Sequence, residues 1–369
     1  MSSTIISIGT AVPEHQIPQR QVVDFMAKAH GFNGSSDGTR LKALYRATAI
    51  ENRYTVVPDY AQANSKDNEF YGANDSLEPL PSTKSRGEVY RQEAIKLSIR
   101  SAENAFANSN LRPEEITHLI TISCTGMYAP GLDIDLVKGL GLPGTVQRTC
   151  INFMGCYAAF IGLKNAHASI KSDPKAKVLL VATELCTIHF QKDSNEDNLI
   201  ANSIFGDGSA AVLLSGNTED SKKEVQLSPK AFHNMLYPEG ETEMAWNIGD
   251  FGYEMKLSSY VPDLIEKGIA DLVEELKSKV DVMHTEHFAI HPGGKRILEV
   301  IEQELKIDKS QDWAGRETLK EFGNMSSPTV LFALKKLMDS LHTKNKNEHV
   351  LSLAFGPGLT VESMMLEVV

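Results

Sequence analysis

Cysteine is scarce in this chain: four in 369 residues, at positions 124, 150, 156 and 186. None falls in a CxxC pair, and no Cys/His spacing suits structural zinc, so a disulfide framework and the zinc-ribbon classes are excluded. No apolar run approaches the roughly 18 residues that a membrane-spanning helix needs. Positive charge is in deficit, with Lys+Arg 37 against Asp+Glu 48 and a net charge of −11. A dedicated nucleic-acid or anionic-membrane binder needs a basic footprint, so both are argued against. The opening Met-Ser-Ser-Thr-Ile-Ile-Ser-Ile-Gly-Thr has no basic residue and too short an apolar run for a signal peptide. The expectation is a cytoplasmic protein with reduced thiols. No P-loop pattern and no strand-linked GxGxxG occurs, and nothing indicates a metal.

What is present is an ordinary globular composition, 41% hydrophobic and 23% charged. The length suits two to three domains or one large two-lobed α/β unit. Short β-rich runs (Thr4 to Ile8, Thr117 to Ser123, Val178 to Ala182, Ala210 to Ser215, His287 to Ile290, Val350 to Ala354, Thr360 to Val368) alternate with helical patterns. The helices are expected over Gln21 to Ala29, Val89 to Asn108, Cys156 to Lys171, Tyr260 to Lys277 and Pro328 to Leu341. This alternation points to α/β architecture. Pro58 to Gly87, polar and turn-rich, reads as a surface loop or lid, and the charged Ser215 to Ser228 as a connector. Two halves, 1–220 and 221–369, close with the same rhythm: Phe205-Gly-Asp-Gly before one β run, Phe355-Gly-Pro-Gly before the other. That echo is compatible with duplication.

Three residues at element boundaries carry candidate chemistry. Cys156 follows Asn152-Phe-Met-Gly and opens an apolar helix, where the positive end of the helix dipole favours thiolate. An inert buried cysteine is the competing reading, and position alone leaves the two about even. His291 follows a β run and precedes Pro-Gly-Gly, at the carboxyl end of a strand, where open α/β sheets place ligands. A satisfied core histidine is the commoner case for one of 11 histidines. Asn324 lies in Phe322-Gly-Asn-Met-Ser-Ser, which alone would be a cap or turn residue. Together the trio suggests nucleophilic catalysis. Arg40, Lys42, Arg46 and Arg53 form a basic cluster; a solvated helix face is its ordinary meaning, and a CoA pyrophosphate is the functional alternative. His167 and His189 read as structural or pocket-lining.

At these motifs the sequence resembles the type III polyketide synthases, the chalcone and stilbene synthase family of the thiolase-like superfamily, in its bacterial form. The motifs are Gly155-Cys156, Ile204-Phe-Gly-Asp-Gly, His291-Pro-Gly-Gly, Gly323-Asn-Met-Ser-Ser and Phe355-Gly-Pro-Gly-Leu-Thr-Val-Glu, in family order over nearly the whole chain. The resemblance implies a five-layered αβαβα fold with two duplicated halves, and a homodimer. It implies that Cys156 accepts a starter acyl group from CoA, and that His291 and Asn324 bind the thioester carbonyl of malonyl-CoA. Phe205 and Met255 would be gatekeepers between the CoA tunnel and the cavity. Ala129 would stand where plant enzymes carry a Met reaching into the partner subunit. Cys124, Cys186, His189 and Ser326 would line the pocket beside Gly356, Pro357 and Gly358, and Lys42, Arg46 and Arg53 would meet CoA. The substrates implied are acyl-CoA and malonyl-CoA, with no further cofactor. Met255 and Ala129 in place of larger groups suggest a fatty acyl starter and an alkylpyrone or alkylresorcinol product. The alternative is a single ketoacyl synthase III-like condensation using malonyl on acyl carrier protein.

Overall fold

A computed structural model describes residues 3–369. The first half runs through Thr4–Ala11 (β1), His15–Pro18 (β2), Gln19–Ala29 (α1), Ser36–Ala47 (α2), Asn52–Thr55 (β3), Thr83–Ala107 (α3), His118–Ser123 (β4) and Leu132–Leu140 (α4). It continues with Gln147–Asn152 (β5), Ala158–Ser172 (α5), Lys177–Leu185 (β6), Glu196–Ile204 (α6) and Asp207–Ser215 (β7). The second half opens with Leu227–Leu236 (β8), the hairpin Met244–Gly249 (β9) and Gly252–Leu257 (β10), Val261–Glu266 (α7) and Ile269–Ser278 (α8). It closes with His287–Ile290 (β11), Lys295–Leu305 (α9), Trp313–Phe322 (α10), Thr329–Ser340 (α11), His349–Gly356 (β12) and Thr360–Val368 (β13).

Nine strands form one mixed sheet in the order β11-β12-β13-β8-β1-β7-β6-β4-β5. The halves meet in it through the pairing of Ile5 with Leu227. On either side of that seam the pattern repeats. In the first half β4–β6 is parallel, while β6–β7 and β7–β1 are antiparallel. In the second, β11–β12 is parallel, while β12–β13 and β13–β8 are antiparallel. Only β5, parallel to β4, has no counterpart. Strands buried on both faces read as near-continuous apolar runs, and Val178-Leu-Leu-Val-Ala does so with every residue buried.

Three apolar clusters account for the layering. The central one packs Phe160, Leu163 and Ile170 of α5 and Leu331, Leu334 and Leu337 of α11 between strand residues of both halves, such as Ile122, Val212, Val350 and Met364. An outer cluster sets Ala102 and Ala105 of α3 and Leu136 of α4 on the far faces of β1, β4, β6 and β7. Another sets Leu272 and Leu276 of α8 and Leu298 and Ile301 of α9 on the far face of the second half. The result is helix, sheet, helix, sheet, helix: a thiolase-like α/β fold.

Several sequence expectations need correction. The helix expected over Tyr260 to Lys277 is two helices, broken at Lys267-Gly268. Pro262 sits in the first turn of the first of them, where its missing N–H is harmless. The segment expected as a surface loop or lid is a surface loop, tied down at its base: the buried Asp59 carboxylate accepts from the backbone N–H groups of Glu69, Phe70 and Tyr71, at 2.8, 3.1 and 2.7 Å. Its last residues, from Thr83, already belong to α3. Cys156 lies in a 3₁₀ turn, Gly155–Tyr157, just ahead of α5.

Candidate active site

The two helices of the middle layer each begin at a chemical residue. After β5 the chain turns through Phe153 and Gly155, with φ of 58° and 78°, and delivers Cys156 to the start of α5. A side chain at position 155 would put its Cβ 2.2 Å from Cδ of Pro357 and would oppose the positive φ. On the pseudo-equivalent path, α10 ends at Gly323, and Asn324 stands before α11. Asn324 is held by backbone bonds across the halves: its N–H donates to Ile204 O at 2.9 Å, and its carbonyl accepts from Gly206 N at 2.9 Å. His291 is the residue after β11, and its N–H donates to Leu353 O at 2.8 Å.

All three side chains converge on one cavity of 970 Å³, its open mouth included, with a mostly apolar wall. The Asn324 Oδ1 accepts from Ser326 N at 2.8 Å, and its Nδ2 donates to Gly293 O at 3.2 Å. An amide nitrogen has two hydrogens, and the second faces the cavity beside the Cys156 sulfur. Neither His291 ring nitrogen has a protein partner, although the residue is buried. Burial pushes the His291 pKa down to about 3, so its imidazole is neutral. Burial likewise pushes the Cys156 thiol up to about 11; hydrogen bonds from Ser326 and Asn324 oppose this, and the nearby Glu184 reinforces it. Desolvation thus opposes the thiolate that the helix terminus favours, and burial pushes both the Cys156 thiol and the His291 imidazole towards their neutral forms. Glu184 itself is fully buried and accepts from Cys124 N, Thr125 Oγ1 and Ser327 Oγ at 2.9, 2.7 and 2.6 Å.

Sequence models of the N-terminal and C-terminal domains of chalcone and stilbene synthases match residues 2–218 and 229–369. The chain belongs to the chalcone and stilbene synthase family. It is accordingly an acyltransferase of the type III polyketide synthase class. Among its relatives is an alpha-pyrone synthesis polyketide synthase-like protein of Mycobacterium tuberculosis, 28% identical over all of this chain and 91% of that protein. Another is a putative chalcone synthase of Bacillus subtilis, 28% identical over 98% and 97%. A crystal structure of a polyketide synthase from the brown alga Ectocarpus siliculosus superposes with TM-score 0.91 at 29% identity, covering 100% and 98% of the two chains.

Within this family member the cavity wall contains Phe205, Met255, Cys124, Cys186, His189, Ser326 and Pro357. Cys124 Sγ accepts from Gly155 N at 2.9 Å, beside the nucleophile's turn. His189 Nε2 bonds Thr125 O at 2.7 Å and its Nδ1 accepts from Tyr253 N at 3.0 Å, which fixes a neutral tautomer. Gly356 and Gly358 belong to the β12–β13 turn and do not line the wall. Ala129 borders a separate depression with Tyr90, Met127, Cys150 and Asn152, outside this chain's own cavity. Lys42 and Arg46 edge a different surface groove between α1 and α2. Arg53, expected at the CoA phosphates, is only 4% exposed and faces the protein interior and the cavity wall. Sequence reasoning missed Trp246 and Tyr253. The Trp246 indole N–H donates to Cys124 O at 2.8 Å, and the Tyr253 ring stacks on His189 at 4.1 Å. Their signal was faint, one aromatic in each strand of a short polar hairpin.

Proposed function

We propose that the protein loads a fatty acyl group from acyl-CoA onto Cys156 and extends it with malonyl-CoA over several rounds. Cyclisation within the cavity then gives an alkylpyrone or alkylresorcinol. The observation that carries this is the convergence of Cys156, His291 and Asn324 on one apolar cavity, with both imidazole nitrogens unclaimed by protein and one amide hydrogen turned to the cavity beside Cys156.

Attack on the acyl-CoA carbonyl needs a thiolate. In the resting pair His291 is the neutral base that takes the Cys156 proton, and the coenzyme thiol leaves with a proton in return. Covalent capture divides one difficult transfer into two easier ones. Decarboxylation of malonyl-CoA then leaves an enolate with its charge on the thioester oxygen. A neutral imidazole N–H from His291 and the free amide hydrogen of Asn324 are suited to that oxygen, and one such donor is typically worth about 3 kcal/mol. The carbanion attacks the Cys156 thioester carbonyl and expels the Cys156 thiolate; the chain, two carbons longer, is then a CoA thioester, and its transfer back to Cys156 with release of CoA opens the next round. No metal or redox step is needed in this scheme.

The aliphatic starter is favoured by Met26, Met244, Met255, Leu257, Ile297 and Phe355 on the wall. The mycobacterial relative's name, an alpha-pyrone synthesis polyketide synthase-like protein, agrees with it. The functional unit is proposed as a homodimer, with β5, whose Gln147 to Cys150 are exposed, at the open edge of the sheet. The test supplies malonyl-CoA with acetyl-, hexanoyl-, lauroyl-, palmitoyl- or coumaroyl-CoA and reads products by mass spectrometry beside Cys156→Ala. Cyclic triketides or tetraketides from the long aliphatic starters, absent in the variant, are expected. Extension of aromatic or short starters alone would overturn the starter assignment. A single β-ketoacyl product that requires malonyl on a carrier protein would overturn the iterative reading.

A further inference from the structure

The buried Arg53, freed from a role at the CoA phosphates, sits behind the catalytic amide. We infer that Arg53 is a positioning residue for Asn324, holding the Asn202–Gly206 segment against which the amide's backbone is docked. The inference rests on the proposed part of Asn324 in malonyl-CoA decarboxylation.

The guanidinium bridges two carbonyls with one nitrogen: Nη1 donates to Asn202 O at 2.8 Å and to Phe205 O at 2.7 Å. These carbonyls lie at the end of α6 and just beyond it, where the helix leaves acceptors without internal partners. The segment so pinned, Ile204-Phe205-Gly206, pairs with Asn324 on both sides, through Asn324 N to Ile204 O and Gly206 N to Asn324 O. The stem of Arg53 completes the clamp. A Cβ placed on Gly323 would stand 3.1 and 3.2 Å from its Cγ and Cδ, and 2.7 Å from Ile204 O. Gly323, at φ +70°, therefore leaves the room in which Arg53 passes next to the residue that precedes the amide. One side chain from β3 thus touches both strands of the small bridge that carries Asn324. Fixed orientation of this kind is what a donor aimed at developing charge requires, since small displacements cost large factors in rate.

Decarboxylation uses the Asn324 donor on the reacting oxygen, whereas starter loading meets it only as the weaker of two side-chain hydrogen bonds on the Cys156 sulfur, so the two half-reactions separate this role from a general loss of structure. Arg53→Met keeps the stem and removes every donor. The expected result is a fall of about ten-fold or more in kcat for malonyl-CoA decarboxylation, with KM unchanged within about three-fold. Acylation of Cys156 by starter acyl-CoA, followed by mass spectrometry, should stay within about three-fold of the parent. Arg53→Lys, whose ammonium can reach one carbonyl, should recover part of the lost kcat. It also carries the same comparison if the Met variant does not fold. Adding Arg53→Met to Asn324→Ala should cost nothing further, because the two act as one unit. Equal losses in acylation and decarboxylation, or multiplicative losses in the double variant, would overturn the inference. If Asn324→Ala alone left decarboxylation intact, the role assigned to Asn324 would fall first, and that outcome is separate from a failure at Arg53.

Discussion

Asp312 offers a quantitative test of how burial sets proton affinity in this protein. It precedes α10, is fully buried, and neither carboxyl oxygen has a hydrogen-bond partner. Burial, reinforced by the negative Glu302, pushes its pKa up to about 8; Arg316 and the Ile290 backbone oppose this weakly. Arg316 is already committed, forked onto Glu302 at 2.6 and 2.5 Å. Asp312 is therefore protonated in the folded protein at neutral pH, whereas in the unfolded chain it ionises near 4. Between those values the folded state binds one proton more, so this group's contribution to stability falls as pH rises, by up to about 1.4 kcal/mol per unit. At pH 7 the retained proton costs about 4 kcal/mol against an ionised unfolded chain. Asp312→Asn keeps the shape without the proton, but leaves an amide donor short of a partner, at about 2 kcal/mol. A net gain of about 2 kcal/mol at pH 7 is expected, shrinking and then reversing towards pH 5. Urea unfolding of both proteins at pH 5, 6, 7 and 8 measures it. A stability difference that does not change over that range would refute the reasoning.

The neutral thiol–imidazole pair predicts that alkylation of Cys156 by iodoacetamide accelerates steadily from pH 7 to pH 9; a plateau already reached at pH 7 would show a resting ion pair instead. Gly155→Ala, which drives a Cβ to within 2.2 Å of Pro357 at positive φ, should destabilise by about 2 to 4 kcal/mol and slow acylation. Unchanged unfolding midpoint and acylation rate would contradict that packing. Trp246→Ala removes part of the wall and the indole donor to Cys124 O, so longer starters or additional extensions should appear in the product spectrum. An unaltered product profile would mean that Trp246 does not limit the chain.

Much of the fold was legible where burial imposes a pattern. The strands at 4–11, 177–185 and 360–368 are buried along nearly all of their length, so each carries an apolar run such as Val178-Leu-Leu-Val-Ala. What escaped notice lies where that constraint lapses. Gln147–Asn152 is an edge strand with exposed residues and no apolar alternation, and Leu227–Leu236 carries a proline, a lysine and a solvent-facing end. The candidate trio was readable because each member stands at an element boundary with a glycine one or two residues away. The roles of Arg53, Ala129 and Trp246 were not, because burial and direction depend on contacts far away in sequence. Arg53 reads like its neighbours Lys42 and Arg46, yet its partners lie about 150 residues further on.

The division of the site between duplicated halves bears on when the protein becomes reactive. Cys156 belongs to the first half, while His291, Asn324 and the Pro357 that closes on Gly155 belong to the second. A ribosome that has released only the first half has made a chain with a nucleophile but no base, no amide donor and no finished cavity. Acyl-CoA meets nothing but an ordinary cysteine at that stage. In the proposed scheme turnover begins only when the second half docks, so catalytic competence would report on completed assembly as well as on chemistry.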